Sequence, residues 1–264
     1  MLRHHSARGK MTESQLFDDI VRDRPRGFDA RSFGRALRII ERVLGHRYDR
    51  PSAVTRIACE IGAEIIEGLR APGAALGTVD LAGRHETSRT PIRDALMLLE
   101  KEGLIEMPPR RKARVATIAL SELGDIYRVR AALFEAIVAD VVQRATPEDQ
   151  AALARTMAEM RAAAAAGDLS GFVWSNVDFY ALLSATSRNR TAARLVESLL
   201  LRTLRYRRRS LSLPGRMHSS LDRHAQILDA IAQRDTALAK ALIRSNHLHA
   251  LRALEEAEAE GPAS

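Results

Sequence analysis

Residues 81–96, LAGRHETSRTPIRDAL, carry the most informative pattern in the chain. Ser88 is of the residue type that caps a helix, and Pro91 follows within one turn, where the missing proline N–H costs nothing. The pattern therefore predicts a short helix, a tight turn over residues 86–88, and a second helix that begins at Arg89. The apolar residues of this second helix recur at helical spacing and predict its buried face: Ile92, Ala95, Leu96 and Leu99.

The segments around this helix pair predict a winged helix-turn-helix. An amphipathic helix is expected from Ala53 through a row of isoleucines, ending at Pro72-Gly73. After the second helix, residues 105–107 and 114–118 are β-prone and flank the basic segment 108–112. Helix, helix, turn, helix and two-stranded hairpin is the order of a winged helix-turn-helix, with the hairpin as the wing.

Beyond residue 121 every long segment has helical periodicity. Helices are predicted over residues 121–145, 147–166, 169–186, 190–210, 217–233 and 235–258. Because this half has no strand candidate, an antiparallel all-helical bundle is the predicted architecture.

The predicted fold class is therefore mainly α, in three parts. Residues 53–118 form the winged helix-turn-helix domain and residues 121–258 the helical domain. Residues 1–52 form a partly helical N-terminal extension, in which apolar spacing predicts helices over 12–24 and 31–45, with a linker from His46 to Ser52.

The positive charge of the chain is concentrated in its first half. The formal net charge is +8, and residues 1–118 hold 22 Lys and Arg against 16 Asp and Glu, which is +6 of that total. A basic half suggests an anionic partner such as nucleic acid. Aromatic residues are 4% of the chain, too few for the stacking platforms of single-strand and RNA binders, so the predicted nucleic acid is duplex DNA.

The cysteine count and the hydropathy pattern predict the compartment. The single cysteine, Cys59, excludes an intramolecular disulfide. The sequence has neither an apolar run of signal-peptide type nor a stretch of roughly 20 apolar residues. We therefore expect a cytoplasmic protein without a membrane partner.

Three polar residues lie at the start of the second predicted helix: Arg89, Thr90 and Arg93. This end of a recognition helix enters the major groove, where Arg bonds guanine bidentately and Thr bonds phosphate or touches a thymine methyl. The alternative is a surface helix whose arginines are only solvated. The cap, the preceding helix and the basic hairpin, all in order, favour DNA.

Four segments resemble the GntR family of bacterial regulators with unchanged spacing. They are residues 72–76 (PGAAL), 81–82 (LA), 88–96 (SRTPIRDAL) and 98–105 (LLEKEGLI). The resemblance implies that four residues of the recognition helix contact operator phosphates and bases, and that the wing tip Arg111-Lys112 reaches the minor groove. The four are Ser88, Arg89, Thr90 and Arg93.

Two positions depart from the family pattern. Val79 stands where the family often has an Arg, and Lys112 stands where it has a Gly at the wing tip. We therefore expect one DNA contact to be lost and the wing to sit differently.

Two downstream segments, residues 127–133 (YRVRAAL) and 224–235 (HAQILDAIAQRD), resemble the FadR-type subfamily, whose C-terminal bundle is called FCD. In that family a bundle cavity commonly holds a divalent metal through one Asp and three His, with a carboxylate effector completing the site. The four positions are Asn176, Tyr180, His224 and Asn246 in this chain, so only His224 is retained. Asn and Tyr are poor ligands for zinc-like ions, and we expect no metal or other cofactor.

Two further histidines, His247 and His249, follow Asn246 closely. They lie about 100° and 300° around the helix from Asn246, so a re-registered metal site would need local distortion.

The resemblance places the four polar side chains inside the bundle. Buried polar groups need partners, so these residues either bond one another or bind an effector. Arg130, equivalent to an Arg that the family often aims into the cavity, favours an anionic ligand. Phe134, where the family usually has Glu, makes the pocket more apolar and compatible with an acyl chain.

A run of arginines follows on a single predicted helix, and it has two interpretations. The run is either an ion-paired or solvated face, or a site for a phosphate-bearing effector such as an acyl-CoA. It comprises Arg202, Arg205, Arg207, Arg208 and Arg209. The nearby aromatic residues Trp174 and Phe179 are predicted to be core.

The resulting hypothesis is a homodimeric repressor that binds a short palindromic operator and is released by a small acidic metabolite, a fatty acid or an acyl-CoA. Two-fold symmetry and palindromic sites imply each other. One alternative is a constitutive DNA-binding regulator without an effector. Another is a metal-dependent enzyme, which the histidine spacing disfavours, so we expect no enzymatic activity.

Overall fold

The computed structural model describes residues 30–45 and 53–260, which form eleven α-helices and one three-stranded sheet. The predicted mainly-α fold class, with a winged helix-turn-helix and a helical bundle, is confirmed. The predicted helix over 12–24 and the predicted linker over 46–52 lie outside the described residues. None of the described helices is long and apolar enough to cross a bilayer.

The predicted helix over 31–45 is observed as α1, Ala30–Gly45. Its apolar residues recur at intervals of three and four, as in Phe33, Leu37, Ile40 and Leu44, and all four are buried. This face of α1 packs against α2, Ala53–Ile66. The N-terminal extension therefore shares a core with the winged domain.

The winged domain continues through two helices and three short strands. They are β1, Ala75–Leu76; α3, Thr78–Arg84; α4, Arg89–Lys101; β2, Ile105–Glu106; and β3, Ala113–Val115. The sheet has the order β1-β3-β2, with both neighbours antiparallel to β3. The predicted two-stranded hairpin corresponds to β2 and β3, so the prediction was incomplete. The third strand, β1, was missed because it has only two residues and no alternating pattern of its own.

Helix α2 ends earlier than predicted. The expected end was Pro72-Gly73, but the last helical residue is Ile66. Gly68 adopts a left-handed conformation with φ 82, and the Leu69 N–H bonds the Glu64 carbonyl across the turn. A glycine in this conformation terminates a helix without strain, so Gly68 was the stop signal and the Pro-Gly pair lies in the following turn.

Seven helices form the bundle. They are α5, Leu120–Arg144; α6, Pro147–Ala165; α7, Leu169–Ser187; α8, Arg190–Ser198; α9, Leu200–Ser212; α10, Arg216–Ala232; and α11, Thr236–Ala259. Side-chain caps start several of them, as where Thr146 and Asp149 form a reciprocal capping box. Asp168, Asn189 and Asp235 likewise accept bonds from first-turn N–H groups.

The single helix predicted over 190–210 is two helices that meet at Leu199. The Thr203 hydroxyl donates to the carbonyls of Leu199 and Leu200, at 3.0 and 3.1 Å. Such back-bonding from a threonine competes for helix carbonyls and bends the chain. After the break, α9 packs against α2, α7, α10 and α11.

Helix α7 lies at the centre of the bundle, in contact with α1, α5, α6, α8 and α9. It is apolar around most of its circumference, as expected for a helix surrounded by others. Trp174 and Phe179 are fully buried, which confirms their predicted core role. Polar residues on this helix are therefore held inside the bundle.

Candidate DNA-reading surface and effector cavity

The first turn of α4 faces outward. Ser88, Arg89, Thr90 and Arg93 are all exposed, whereas Ile92 on the opposite side is fully buried. Arg89 and Arg93 are four residues apart and so share one face of the helix. The side chains predicted to read DNA thus point away from the protein.

Ser88 occupies the N-cap position with an extended backbone, but its hydroxyl accepts no hydrogen bond from the helix. Ser88 is therefore confirmed as the N-cap residue of α4, but the side-chain hydrogen bond expected of a serine cap is absent. The first-turn N–H groups of a helix carry partial positive charge and favour a phosphate oxygen as acceptor. An uncapped start is thus compatible with a phosphate contact at this end of α4.

The wing tip carries exposed basic residues between β2 and β3. Arg110 takes up the left-handed turn, with φ 59, so the special backbone conformation falls there and not at Lys112. Arg111 and Lys112 are exposed. At the base of the wing, Arg114 Nη2 pairs with Glu106 at 2.6 Å, which lowers the pKa of that carboxyl.

Neither the α4 arginines nor the basic residues of the wing tip form an ion pair or side-chain hydrogen bond with the rest of the described chain. Val79 on α3, at the position where an Arg was expected, is 66% exposed. The surface therefore presents unpaired cations at α4 and the wing and an apolar side chain at α3.

A buried carboxylate, which sequence reasoning missed, holds α3 in place beneath this surface. Glu64 on α2 is buried and accepts from Arg70 Nε and Arg84 Nη1, each at 2.6 Å. Arg84 ends α3, so the pair fixes α3 against α2. A charged residue within an isoleucine-rich helix was the available sequence signal.

The four polar residues predicted to line the bundle are brought together by α7, α10 and α11. Asn176, Tyr180, His224 and Asn246 are all buried. With Arg130 they line a cavity of about 40 Å³, which we call the polar cavity.

The polar residues form two sets of hydrogen bonds, one through Asn176 and His224 and one between Asn246 and Tyr180. His224 Nδ1 lies 2.6 Å from the Ser220 carbonyl and so carries the proton, leaving Nε2 to accept from Asn176 Nδ2 at 3.0 Å. Arg207 Nη1 donates to Asn176 Oδ1 at 2.9 Å. Asn246 Nδ2 separately donates to the Tyr180 hydroxyl at 2.8 Å. The predicted internal network is thus present.

Two groups in the polar cavity lack partners within the described chain: His247 Nε2 and Arg216 Nε. His247 donates through Nδ1 to the Ile243 carbonyl and stacks on Phe134 with ring centroids 5.0 Å apart. Asn246 and His247 are both buried, because the buried side of α11 is wide enough to include positions about 100° apart. His249 instead contacts Arg216, at 3.1 Å.

Positive charge dominates the walls of the polar cavity. Arg130, Arg207 and Arg216 line it, and no Asp or Glu does so within the described ranges. Burial, and secondarily the charge of Arg207, lowers the pKa of Arg130 to about 9. Burial also lowers the pKa of His224 to about 4 and that of His247 to about 3, so both imidazoles are neutral at physiological pH.

These side chains do not fit the divalent metal of the FCD resemblance. Asn176 and Asn246 are neutral and already bonded, and three guanidinium groups surround them. Hard and borderline cations need carboxylate, imidazole or thiolate ligands and are repelled by such charges. The described residues contain no cluster of three or more His, Cys, Asp and Glu able to hold a metal.

Two of the five arginines in the run on α9, Arg202 and Arg208, form ion pairs. Arg202 bonds Glu122 at 2.5 Å, and Arg208 bonds Glu67 at 2.8 Å. The Trp174 indole N–H donates to the same Glu67, at 2.6 Å. Because Glu67 directly follows α2, this helix connects the winged domain to the bundle.

Comparison with known families matches both halves of the chain. Residues 53–115 match the gntR family of bacterial regulatory proteins, and residues 125–250 match the FCD domain. The families and the relatives found are regulators and not enzymes.

Several curated proteins are similar in sequence. YdhC of Bacillus subtilis, an uncharacterized HTH-type transcriptional regulator, is 27% identical over 200 residues, 75% of this chain and 88% of that protein. The HTH-type transcriptional repressor RspR of Escherichia coli is 26% identical over 172 residues, 65% of this chain and 75% of that protein. The gluconate operon transcriptional repressor of Bacillus licheniformis is 33% identical over 132 residues, 50% of this chain and 54% of that protein.

Solved structures share the fold. Escherichia coli McbR/YncC superposes with a TM-score of 0.67 at 22% identity, covering 78% of this chain and 99% of that one. A GntR regulator from a Rhodococcus species gives the same TM-score and coverage at 23% identity.

Proposed function

We propose that this protein is a homodimeric repressor of a short palindromic operator. It belongs to the GntR family of bacterial transcriptional regulators, with a DNA-binding domain and an FCD domain. The row of exposed, unpaired side chains at the start of α4 carries this proposal: Ser88, Arg89, Thr90 and Arg93. Two similar proteins, from Bacillus licheniformis and Escherichia coli, are repressors by name, which supports the sign of regulation.

Base recognition follows from the way α4 is held. Ile92 and Leu96 anchor one side of the helix in the core, so Arg89 and Arg93 enter the major groove on the other. Arg89 bonds a guanine edge bidentately, and Thr90 contacts phosphate. The wing residues Arg111 and Lys112 follow the backbone into the adjacent minor groove and add charge without reading sequence.

The effector is a small carboxylate held in the polar cavity by guanidinium groups, without a metal. Arg130, Arg207 and Arg216 face a space lined by no carboxylate of the described chain. A buried cation is stabilised by an anionic partner, and guanidinium is the side chain best shaped to bond a carboxylate. The unpartnered Arg216 Nε supplies a donor, and the His247 Nε2 lone pair supplies an acceptor for a ligand hydroxyl.

Helix α9 couples the two sites in this proposal. Arg207 bonds Asn176 in the polar cavity, while its neighbour Arg208 bonds Glu67 below the winged domain. A ligand lowers DNA affinity only by binding one arrangement of the two domains more tightly than the other. A carboxylate that draws Arg207 away from Asn176 also moves Arg208.

Selection of duplexes from a random pool, followed by fluorescence anisotropy on the winning site, tests the DNA proposal. We expect enrichment of a palindrome and a stoichiometry of two chains per duplex. The variant Arg155→Ala, on an exposed bundle surface, removes one positive charge and serves as the control with unchanged affinity. Failure to enrich any duplex would overturn the proposal.

A constitutive regulator without an effector is the second candidate, favoured by the internal bonding of the cavity residues. Asn176 to His224 and Asn246 to Tyr180 are already paired. A thermal-shift screen of carboxylates separates the candidates, because a ligand at one hundred times its Kd stabilises the folded state by about 2.7 kcal/mol. No shift with any carboxylate would favour the constitutive regulator.

A further inference from the structure

A second cavity lies beside the polar cavity. It has a volume of about 220 Å³, and we call it the apolar cavity. Its walls come from α5, α7, α8 and α9 and are mainly hydrophobic, with Phe134, Val177, Val196 and Leu200 among them. Arg130 and Tyr180 line both cavities and so form the wall that the two share.

At its exposed edge, which we call its mouth, the apolar cavity is lined by Arg42 of α1 and Glu197 of α8. Arg42 Nε donates to Glu197 Oε1 at 3.1 Å, and both residues line the cavity. Arg35, two turns earlier, fastens the same helix to the bundle through Ser175 at 3.0 Å and Glu159 at 2.8 Å. The pair between Arg42 and Glu197 is partly exposed, so it is weak enough to open.

The opposite face of α1 packs on the DNA-binding domain. Ile40 is buried against α2, with its Cδ1 only 3.2 Å from where a Cβ at Gly62 would stand. A Cβ at Gly62 would require the end of the Ile40 side chain to shift by a few tenths of an ångström, so the two helices are closely packed here. A single helix thus touches both the cavity mouth and the first helix of the winged domain.

The charges of the apolar cavity fit an anion with a hydrophobic body. Its only acidic wall residue within the described chain, Glu197, is at the mouth and bonded to Arg42. Arg130 is buried with one long hydrogen bond, 3.4 Å to the Val196 carbonyl. Apolar cavities of about 150 Å³ accept benzene, so this one holds a ring or a chain of about six to nine carbon atoms.

We propose that the apolar and polar cavities form one site for an amphipathic carboxylate and that α1 is the gate of this site. The carboxylate lies at Arg130, and the hydrocarbon lies among Phe134, Val177 and Leu200. This rests on the proposed anionic effector and specifies its chemical class. Entry of the hydrocarbon requires the Arg42–Glu197 pair to open. Because α1 also packs on α2, filling the cavity shifts α1 against the DNA-binding domain.

A series of straight-chain carboxylates tests the class of ligand. Isothermal titration of the full-length protein with acetate, butanoate, hexanoate and octanoate should show affinity rising about fourfold for each methylene buried. Hexylamine, with the same chain and the opposite charge, should bind at least tenfold more weakly than hexanoate. Equal affinity for butanoate and hexanoate would overturn the amphipathic ligand and leave the anionic effector standing. No binding by any of these carboxylates would overturn both.

A space-filling substitution tests the location of the hydrocarbon. Ala193 lines the apolar cavity and not the polar one, so Ala193→Leu should weaken hexanoate binding about tenfold or more and leave acetate binding within twofold. Thr191→Leu, exposed on the same helix, is the matched control and should change neither. Ala181→Leu fills the same cavity from α7 and replaces Ala193→Leu if that variant does not fold. Unchanged hexanoate binding in a folded filling variant would overturn the location.

A charge exchange tests the gate. Arg42→Glu should speed hexanoate dissociation several-fold, and the double variant Arg42→Glu with Glu197→Arg should restore the slow rate. The fluorescence of Trp174, the single tryptophan of the chain, reports the change, because its indole bonds Glu67 at the domain junction. Equal dissociation rates in wild type and Arg42→Glu would remove the gate from the proposal.

Discussion

Arginine occurs in two contrasting settings in this molecule. At the start of α4, Arg89 and Arg93 are exposed and unpaired within the described chain, while in the bundle Arg130 is buried beside Arg207 and Arg216. An exposed guanidinium keeps its hydration and costs little to fold. A buried one loses that hydration, and neutral partners return only part of the loss. The exposed arginines of the DNA-reading surface are therefore expected to leave the free energy of unfolding unchanged. The buried arginines of the cavity are expected to lower it, and we expect them to be retained because they bind the ligand.

The largest expected effect is a loss of folding stability at acid pH, caused by the buried histidines of the polar cavity. Burial lowers the pKa of His224 to about 4 and that of His247 to about 3, from 6.5. The unfolded chain therefore binds protons below pH 6.5 while the folded cavity does not, so stability is complete above that pH and falls as the pH drops toward 4. Each of these two histidines contributes about 1.4 kcal/mol per pH unit, so together they should account for about 4 kcal/mol of the stability that urea unfolding shows to be lost by about pH 5.

The variant His247→Leu should reduce the steepness of this pH dependence, because the titration of one buried imidazole is removed. His218→Leu, at an exposed position of α10, is the control and should leave the slope unchanged. A slope that is the same in wild type and His247→Leu would mean that the buried imidazole is already protonated.

Replacing the buried guanidinium should come next in size. Arg130→Met keeps the shape of the side chain and removes a charge that has no carboxylate partner in the described chain, so it should raise the free energy of unfolding by about 1–4 kcal/mol. Carboxylate binding should be lost in the same variant. Destabilisation instead would show that Arg130 is well compensated in the free protein, and the contrast between the two regions would weaken.

At the DNA-reading surface the effect should be confined to binding. Arg89→Ala should cost about 1–3 kcal/mol on the operator and relax base preference at one position. Its midpoint of urea unfolding should match that of wild type, because the side chain is exposed and unpaired. An equal loss on operator and random duplex would show that Arg89 contacts only phosphate.

The wing should give the smallest effect. Lys112→Ala should weaken all duplexes alike by less than about 1 kcal/mol and reduce the slope of log affinity against log salt by about one. Glu106→Gln, which loosens the pair that holds Arg114 at the base of the wing, should give a similar uniform loss. A sequence-dependent loss with Lys112→Ala would assign the wing a part in base recognition.

The two regions also differ in how far they could be predicted from the sequence. The exposure of Arg89 and Arg93 follows from the helix period and from Pro91, all within a few residues. The missing Ser88 cap, the third strand and the break at Leu199 were not predictable in this way, because a two-residue strand and a threonine back-bond have no periodic pattern. In the cavity, the family positions predicted that Asn176, Tyr180, His224 and Asn246 would meet, but they did not include His247, which also lines it.

The sequence by itself determined the local structure, since helix periodicity, caps and turn residues act over three or four neighbours. It therefore specified the recognition helix, the wing and an all-helical second half. Only the tertiary structure decided which polar groups pair, as with Asn176 and His224, 48 residues apart, or Arg42 and Glu197, 155 apart. It also decided which groups stay unpartnered. Such contacts depend on how whole helices pack, and no local preference encodes them.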